Sequence, residues 1–373
     1  MNDSAPLLDV TDLTVDFPSE DGVVHAVRGV SYSLRSGEVL AIVGESGSGK
    51  SVSCLALMGL LPKTAKVNGS ARFCGTELIG MKVKELNKIR GSKVAMIFQD
   101  PMTSLNPVYT VGWQLAEAVR AHNPDVSKRD SMARAIDLLG LVDIPNPQDR
   151  ARNYPHEFSG GMRQRAVIAM AMANDPDVII ADEPTTALDV TVQAQILEVL
   201  DTALEETGAA MVLITHDLGV VAGVADRVLV MYAGRPVEIG SVEDIYYEPR
   251  MPYSLGLLGS LPRLDSTGRE RLTPIVGSPP SLVNLPPGCP FTPRCPLAQD
   301  ICEQEEPDLF VTTAASHVAA CHFHERLVGL SSADLFGTTS IDTEGLTVAD
   351  LDPAIIGPAA AGVGDSDLAK KEI

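Results

Sequence analysis

The chain has 373 residues, of which 45% are hydrophobic, and 49 Asp and Glu stand against 29 Lys and Arg for a formal charge of −20. That apolar content supports a sizeable core and excludes a disordered protein, while the acidity excludes a broad basic face for nucleic acid or an anionic membrane. Apolar runs such as Ala166–Ala173 fall far short of a membrane helix, the first residues lack signal-peptide character, and six cysteines in a chain this long predict a reducing compartment.

In chain order, Leu7–Val10 and Leu13–Phe17 read as strands, Pro18–Gly22 as a turn and Val23–Val30 as a further strand. Glu38–Val43 is a compact apolar run, the pattern of a strand buried on both faces. Val94–Phe98, Val178–Ala181, Met211–Thr215 and Leu229–Tyr232 share that character. Val190–Thr207 places Ile196, Val199, Leu200, Ala203 and Leu204 on one helical face, with Gly208 as a C-cap. Buried strands alternating with amphipathic helices predict a mainly parallel α/β sheet. From about Gln99 to Ala173 the patterns are helical (Trp113–His122, Lys128–Leu139, Gly160–Ala173), which predicts a helical subdomain. Beyond Gly240 the chain is rich in Pro and holds four of the six cysteines. Residues 327–373 carry eight acids against two lysines, with frequent Gly, Ala and Pro, and are expected to be a mostly disordered tail.

Directly after the first buried strand, Gly44-Glu45-Ser46-Gly47-Ser48-Gly49-Lys50-Ser51 fits G-x-x-x-x-G-K-[ST]. Glycines let backbone N–H groups turn inward around phosphates, and the following helix adds the positive end of its dipole. Lys50 is expected to reach the β- and γ-phosphates and the Ser51 hydroxyl to ligate Mg²⁺, with Val52 continuing the site into the helix. The strand Val178–Ala181 ends in Asp182 and Glu183. A phosphate-loop enzyme needs a carboxylate there for Mg²⁺, which fits Asp182, and Glu183 is then placed to orient or deprotonate an attacking water.

Phe158-Ser159-Gly160-Gly161-Met162-Arg163-Gln164-Arg165 resembles the signature motif of ABC-transporter ATPases, and further landmarks fall in that family's order. Gln99 matches the Q-loop residue, Ala187-Leu188-Asp189 the D-loop and His216 the switch histidine, and Phe17 resembles the aromatic that stacks on adenine. The resemblance covers residue 7 to about 325. It implies a P-loop NTPase with a RecA-like parallel sheet, an N-terminal antiparallel β subdomain, the helical subdomain and a small cysteine-containing extension. The expected domains are 1–240, 241–326 and the tail. Catalysis is expected of Glu183, His216, Gln99 and Lys50, and Mg²⁺ binding of Ser51, Gln99 and Asp182. ATP is expected on Phe17, Gly44 to Val52 and Gln99, with Ser159, Gly160, Gly161 and Asp189 acting across a head-to-tail pair. One set of motifs in the chain requires a copy of itself or a homologous ATPase subunit as partner.

The extension around Pro274–Pro280 and Leu285–Cys295 is similar to that of oligopeptide and dipeptide importer ATPases, with related subunits in nickel importers. Cys289, Cys295, Cys302 and Cys321 follow C-x5-C-x6-C-x18-C. Four thiolates suit an iron–sulfur cluster, tetrahedral zinc favours closer pairs, and free thiols packed in a small domain are the third reading. The resemblance implies a [4Fe–4S] cluster. Cys54 and Cys74 are expected to be packing residues.

The expected role is therefore the ATP-hydrolysing subunit of a peptide importer, peripheral on the cytoplasmic face of the membrane, with nickel or another small solute as the alternative cargo. It implies two permease subunits, docked near Asp100–Pro107, and an extracytoplasmic binding protein. DNA-acting relatives insert long coiled coils between loop and signature, and ribosome-acting relatives carry two motif sets. This chain has neither, and no nucleic-acid partner is expected. A regulatory half that no longer hydrolyses is opposed by Glu183, His216 and the intact Ser159-Gly160-Gly161.

Overall fold

The computed structural model describes residues 5–186, 188–261, 274–312 and 316–337. The long hairpin of β1 (Leu8–Ser19) and β2 (Gly22–Leu34) precedes the buried strand β3 (Val39–Val43), and β4 (Lys66–Phe73) and β5 (Thr76–Glu77) follow. Strands β2, β1, β4 and β5, in that order, form an antiparallel sheet, in keeping with the expected N-terminal subdomain. The central sheet takes β3 together with β6 (Val94–Ile97), β7 (Val178–Asp182), β8 (Ala210–Thr215), β9 (Arg227–Tyr232), β10 (Arg235–Ser241), β11 (Phe310–Val311) and β12 (Val318–Ala319). Its order is β11-β12-β10-β9-β3-β8-β7-β6, and the stretch from β9 to β6 is parallel.

The continuous apolar runs are explained by what lies on each face. Leu40, Ile42, Ile180, Val212 and Ile214 pack toward the antiparallel sheet and the helix Lys50–Leu57. Their neighbours Val39, Ile179, Ala181, Met211 and Leu213 pack against the helices on the other side. Side chains alternate across a strand, so a sheet covered twice needs apolar residues at every position. The helical region expected over 99–173 is present: Val111–His122, Lys128–Leu141 and Gly160–Ala171 carry it, with no strand among its described residues. Thr110, Ser127 and Ser159 cap these helices through their side-chain oxygens.

The extension over 241–326 joins the central sheet, because β12 pairs with β10 in the register Glu238↔Ala319 and Ile239↔Val318. His317 and Glu238, both fully buried, lock this junction with a 2.8 Å contact from Nε2 to Oε1, and the Arg250 backbone N–H donates to the same oxygen at 2.6 Å. The expected tail from 327 begins with structure: Leu327 is buried and Ser332–Phe336 is a short helix with Leu335 buried. Residues 338–373 lie outside the described residues. Cys54 is buried as expected, whereas Cys74 is exposed at a φ of 47° between β4 and β5, where a turn residue and not a core residue is required. Among the described residues no helix is long and apolar enough to cross a membrane.

Candidate active site

The parallel order brings four strand ends to one rim of the sheet, where open α/β folds bind ligands. Val43 stands beside Thr215 and Asp182 beside Ile214, so the loop after β3, His216 after β8 and Glu183 after β7 emerge at one level. Ile97 pairs with Ala181, which carries Gln99 to the same edge.

The phosphate loop is held tightly. Gly44 sits at a φ of 151° with the Met231 carbonyl oxygen where a Cβ would go, and the Ala26 carbonyl likewise occupies the Cβ position of Gly49 (φ 99°). These two glycines are therefore demanded by conformation and by close approach together. The Ser48 carbonyl accepts from Gly234 N at 3.1 Å. Lys50 is buried at the mouth of the helix Lys50–Leu57, its Nζ donating to the Gly44 and Glu45 carbonyls at 2.7 and 3.0 Å. Burial lowers the Lys50 pKa, and the nearby carboxylates of Glu183, Asp182 and Glu45 oppose that shift. Ser46 and Gly47 are exposed at the loop tip, Ser48 is buried, and Val52 packs against the core beneath the sheet.

Ser51 Oγ donates to Asp182 Oδ1 at 2.7 Å, which pairs the two oxygens expected at Mg²⁺. Burial raises the Asp182 carboxyl above its ordinary range, and the Ser51 hydrogen bond works against it. Glu183 is the meeting point of the rest. Gln99 Nε2 and Thr186 Oγ1 donate to its Oε2 at 2.9 and 2.8 Å, and His216 Nδ1 lies 3.5 Å from its Oε1. Its backbone is left-handed (φ 48°), with the N–H bonded to the Ile214 carbonyl at 2.9 Å. Strain of this kind in a non-glycine residue is characteristic of functional positions. A carboxylate so oriented can accept a proton from a water in front of the loop.

Other expected residues stand elsewhere. Ser159 is exposed and caps Gly160–Ala171 through Met162 N at 3.3 Å. Gly161 is required because a Cβ there would come 2.8 Å from Val192 Cγ1. Asp189 caps Val190–Thr207 by accepting from Val192 N at 3.0 Å, while Ala187 lies outside the described residues. Phe17 is half-buried on β1, paired with Val24. In the Asp100–Pro107 stretch Leu105 is buried, and beyond it Val108 and Tyr109 are exposed, the Tyr109 ring stacked on Trp113 at 4.2 Å.

Glu45, grouped by sequence with the phosphate-binding residues, commits its amide and its side chain to partners outside the loop. Its N–H donates to Tyr253 Oη at 2.8 Å and its carboxylate receives both Nη atoms of Arg294, at 2.7 and 2.8 Å. The contacts from Arg294, Tyr253 and Thr186 are invisible to motif reading. Arg294 lies 249 residues from Glu45 in a Pro-rich stretch without periodicity.

Cys289, Cys295, Cys302 and Cys321 line one small cavity with Phe291, Leu297 and Ala320 among its walls. Burial raises the Cys289 thiol and pushes those of Cys295 and Cys321 up to about 12. Among the described residues no group of three or more His, Cys, Asp or Glu side chains is disposed to hold a metal ion. The expected metal set is thus gathered on one cavity without ligating geometry, and packed thiols behave there like small apolar groups.

Two family models match the chain: ABC transporter over residues 27–186, and oligopeptide/dipeptide transporter, C-terminal region, over 237–302. The oligopeptide transport ATP-binding protein OppD of Mycobacterium bovis is 57% identical over 332 residues, 89% of this chain and 54% of that protein, so the chain spans about half the length of this relative. OppD of Salmonella typhimurium is 54% identical, covering 81% of this chain and 89% of that protein. The dipeptide transport ATP-binding protein DppD of Bacillus subtilis is 53% identical, covering 86% and 95%. Among solved structures, a dimeric ATP-binding cassette in a post-hydrolysis state with ADP and Pi superposes with a TM-score of 0.57 at 27% identity, over 63% of this chain and 98% of that one.

Proposed function

The chain belongs to the family of ABC-transporter subunits that includes the oligopeptide and dipeptide transport ATP-binding proteins, and from that premise we propose that it hydrolyses ATP to power peptide import through a membrane transporter. The observation that carries the reading is the convergence of Gln99, Thr186 and His216 on Glu183, beside the Ser51–Asp182 pair and Lys50.

In this reading the amides of Gly47 to Ser51 and the Lys50 ammonium take the phosphates, and Phe17 supports the adenine. Glu183 accepts a proton from the water that attacks the γ-phosphorus. The new P–O bond forms as the β–γ bridging bond breaks, and ADP is the leaving group. Gln99 and Thr186 fix the carboxylate, and His216 faces its other oxygen. Ser51 and Asp182 fit a hard cation, being two oxygen donors in contact, and Mg²⁺ there would neutralise phosphate charge. The exposed Ser159 and Gly160 at a helix N-terminus suit an anion presented by a second ATPase subunit, identical or homologous.

The similarity to peptide-transport subunits supports di- or oligopeptides as cargo, two permease subunits, an extracytoplasmic binding protein and a peripheral place at the cytoplasmic face. The four thiols line one cavity but are not disposed as ligands, so a [4Fe–4S] cluster held by Cys289, Cys295, Cys302 and Cys321 would require their segments to draw together around it. Protein isolated without oxygen is then brown and its Cys295→Ser variant colourless. The function is tested by affinity purification from detergent-solubilised membranes and reconstitution in vesicles. ATP-dependent peptide uptake, lost in Lys50→Ala, is expected, and co-purification without any permease chain would refute it.

A further inference from the structure

We infer that Arg294 is a positioning residue for the nucleotide site: it clamps Glu45 and thereby holds the phosphate loop in its binding conformation. The inference rests on reading that loop as the ATP site.

Arg294 ends a short turn, Thr292–Arg294, between two of the cavity-lining cysteines, Cys289 and Cys295. Its side chain is only 4% exposed and makes a two-pronged pair with Glu45 at 2.7 and 2.8 Å. Such a fork fixes the direction of a carboxylate as well as its distance, which a lysine cannot do. The guanidinium lies 5.8 Å from the ring centres of both Tyr232 and Phe291, and it donates from Nη1 to Tyr232 Oη at 3.3 Å and from Nε to the Val276 carbonyl at 3.2 Å. Tyr232, Tyr253 and Phe291 pack edge-on and tilted around it, with ring centres 4.6 to 5.5 Å apart. Arg294 is therefore itself held from several sides.

The other end of the clamp is equally specific. Glu45 directly follows Gly44, where the chain leaves β3 and turns into the loop. Its N–H is bonded to Tyr253 Oη, and its carbonyl accepts from Lys50 Nζ. Side chain, amide and carbonyl of this one residue are thus all engaged, two of the three by residues after position 250. A loop whose amides already point inward binds phosphate without first ordering itself, and that preorganisation appears as affinity. The pair leaves Gln99, Glu183 and His216 untouched, so it acts on binding and not on the chemical step.

The test is calorimetric titration of the full chain with MgADP and with a non-hydrolysable ATP analogue, alongside thermal melts without nucleotide. Arg294→Gln and Glu45→Gln are each expected to weaken binding at least about tenfold, Arg294→Lys by an intermediate factor, and the double Gln variant no more than the worse single one, as two halves of one interaction require. In the reconstituted transporter KM for ATP rises while kcat changes less than about threefold. Parent-like affinity in both single variants, additive losses in the double, or a lowered melting temperature with affinity intact overturns the inference. If Arg294→Gln does not fold, Glu45→Gln and the uncharged double decide it. A parent chain that binds neither nucleotide would instead remove the ATP-site reading.

Discussion

Replacing Glu183 by Gln separates the chemistry of this site from its architecture. In the parent, Oε2 accepts from Gln99 Nε2 at 2.9 Å and from Thr186 Oγ1 at 2.8 Å, and Oε1 faces His216 Nδ1 at 3.5 Å. A Gln side chain of the same shape can place its amide oxygen at the Oε2 position, keeping both donors, and turn its NH₂ toward the imidazole nitrogen. The polar contacts are then retained, and nucleotide affinity and melting temperature should stay close to the parent values. What disappears is the capacity to take a proton. Loss of a positioned general base removes about 10²–10⁴ in rate, which at ~1.36 kcal/mol per tenfold is about 2.7–5.4 kcal/mol of barrier. Phosphate release at saturating MgATP by the reconstituted transporter measures this directly, with analogue binding as the control. Turnover within about threefold of the parent, with binding intact, would refute Glu183 as the base.

Gly44→Ala must place a methyl group on the Met231 carbonyl at a φ of 151°, so it should destabilise the chain by about 2–4 kcal/mol and weaken nucleotide binding, read by denaturant melts and titration. His317→Ala leaves the fully buried Glu238 side chain with the Arg250 N–H but without its imidazole partner and should cost about 3–5 kcal/mol; unchanged hydrogen exchange at β10 and β12 would contradict the coupling of those strands through this pair. Without a bound cluster, Cys295 and Cys321, pushed up to about 12, hold roughly a thousandfold less thiolate at pH 8 than an ordinary thiol, so iodoacetamide should label exposed Cys74 first. Their labelling should quicken as pH rises toward that value, because only the deprotonated sulfur reacts. Equal labelling of Cys74 and Cys295 at pH 8, followed by mass spectrometry, would contradict it.

The contiguous features were legible in the sequence because local physics dictates them. Gly44 to Ser51 can be read without a fold, since glycine spacing and one lysine define a phosphate cradle. The strands at Val39–Val43, Val178–Asp182 and Ala210–Thr215 announce themselves because burial on both faces leaves no polar position until the rim. The helix Val190–Thr207 was bounded by its own cap and by Gly208. Strand β10 carries Pro236 and Gly240, residue types that weaken a strand pattern, and the register shifts between Pro236 and Glu238. Strands β11 and β12, two residues each, are too short for any periodicity. Gln99 and His216 drew meaning only from their order along the chain, and their meeting at Glu183 is a product of the sheet register. Arg294 and Tyr253 carry no local signal because their partner is remote in sequence.

Strand β10 has hydrogen-bonding partners on both sides, β9 and β12. A chain cut after Ser241 would leave its outer side a bare ladder of amides and carbonyls, open to pairing with any other extended chain. The segment carrying β12 thus covers that edge of the central sheet. Trimming that segment away should yield sticky, poorly soluble material, and ribosomal synthesis must run past Ala319 before the sheet is sealed.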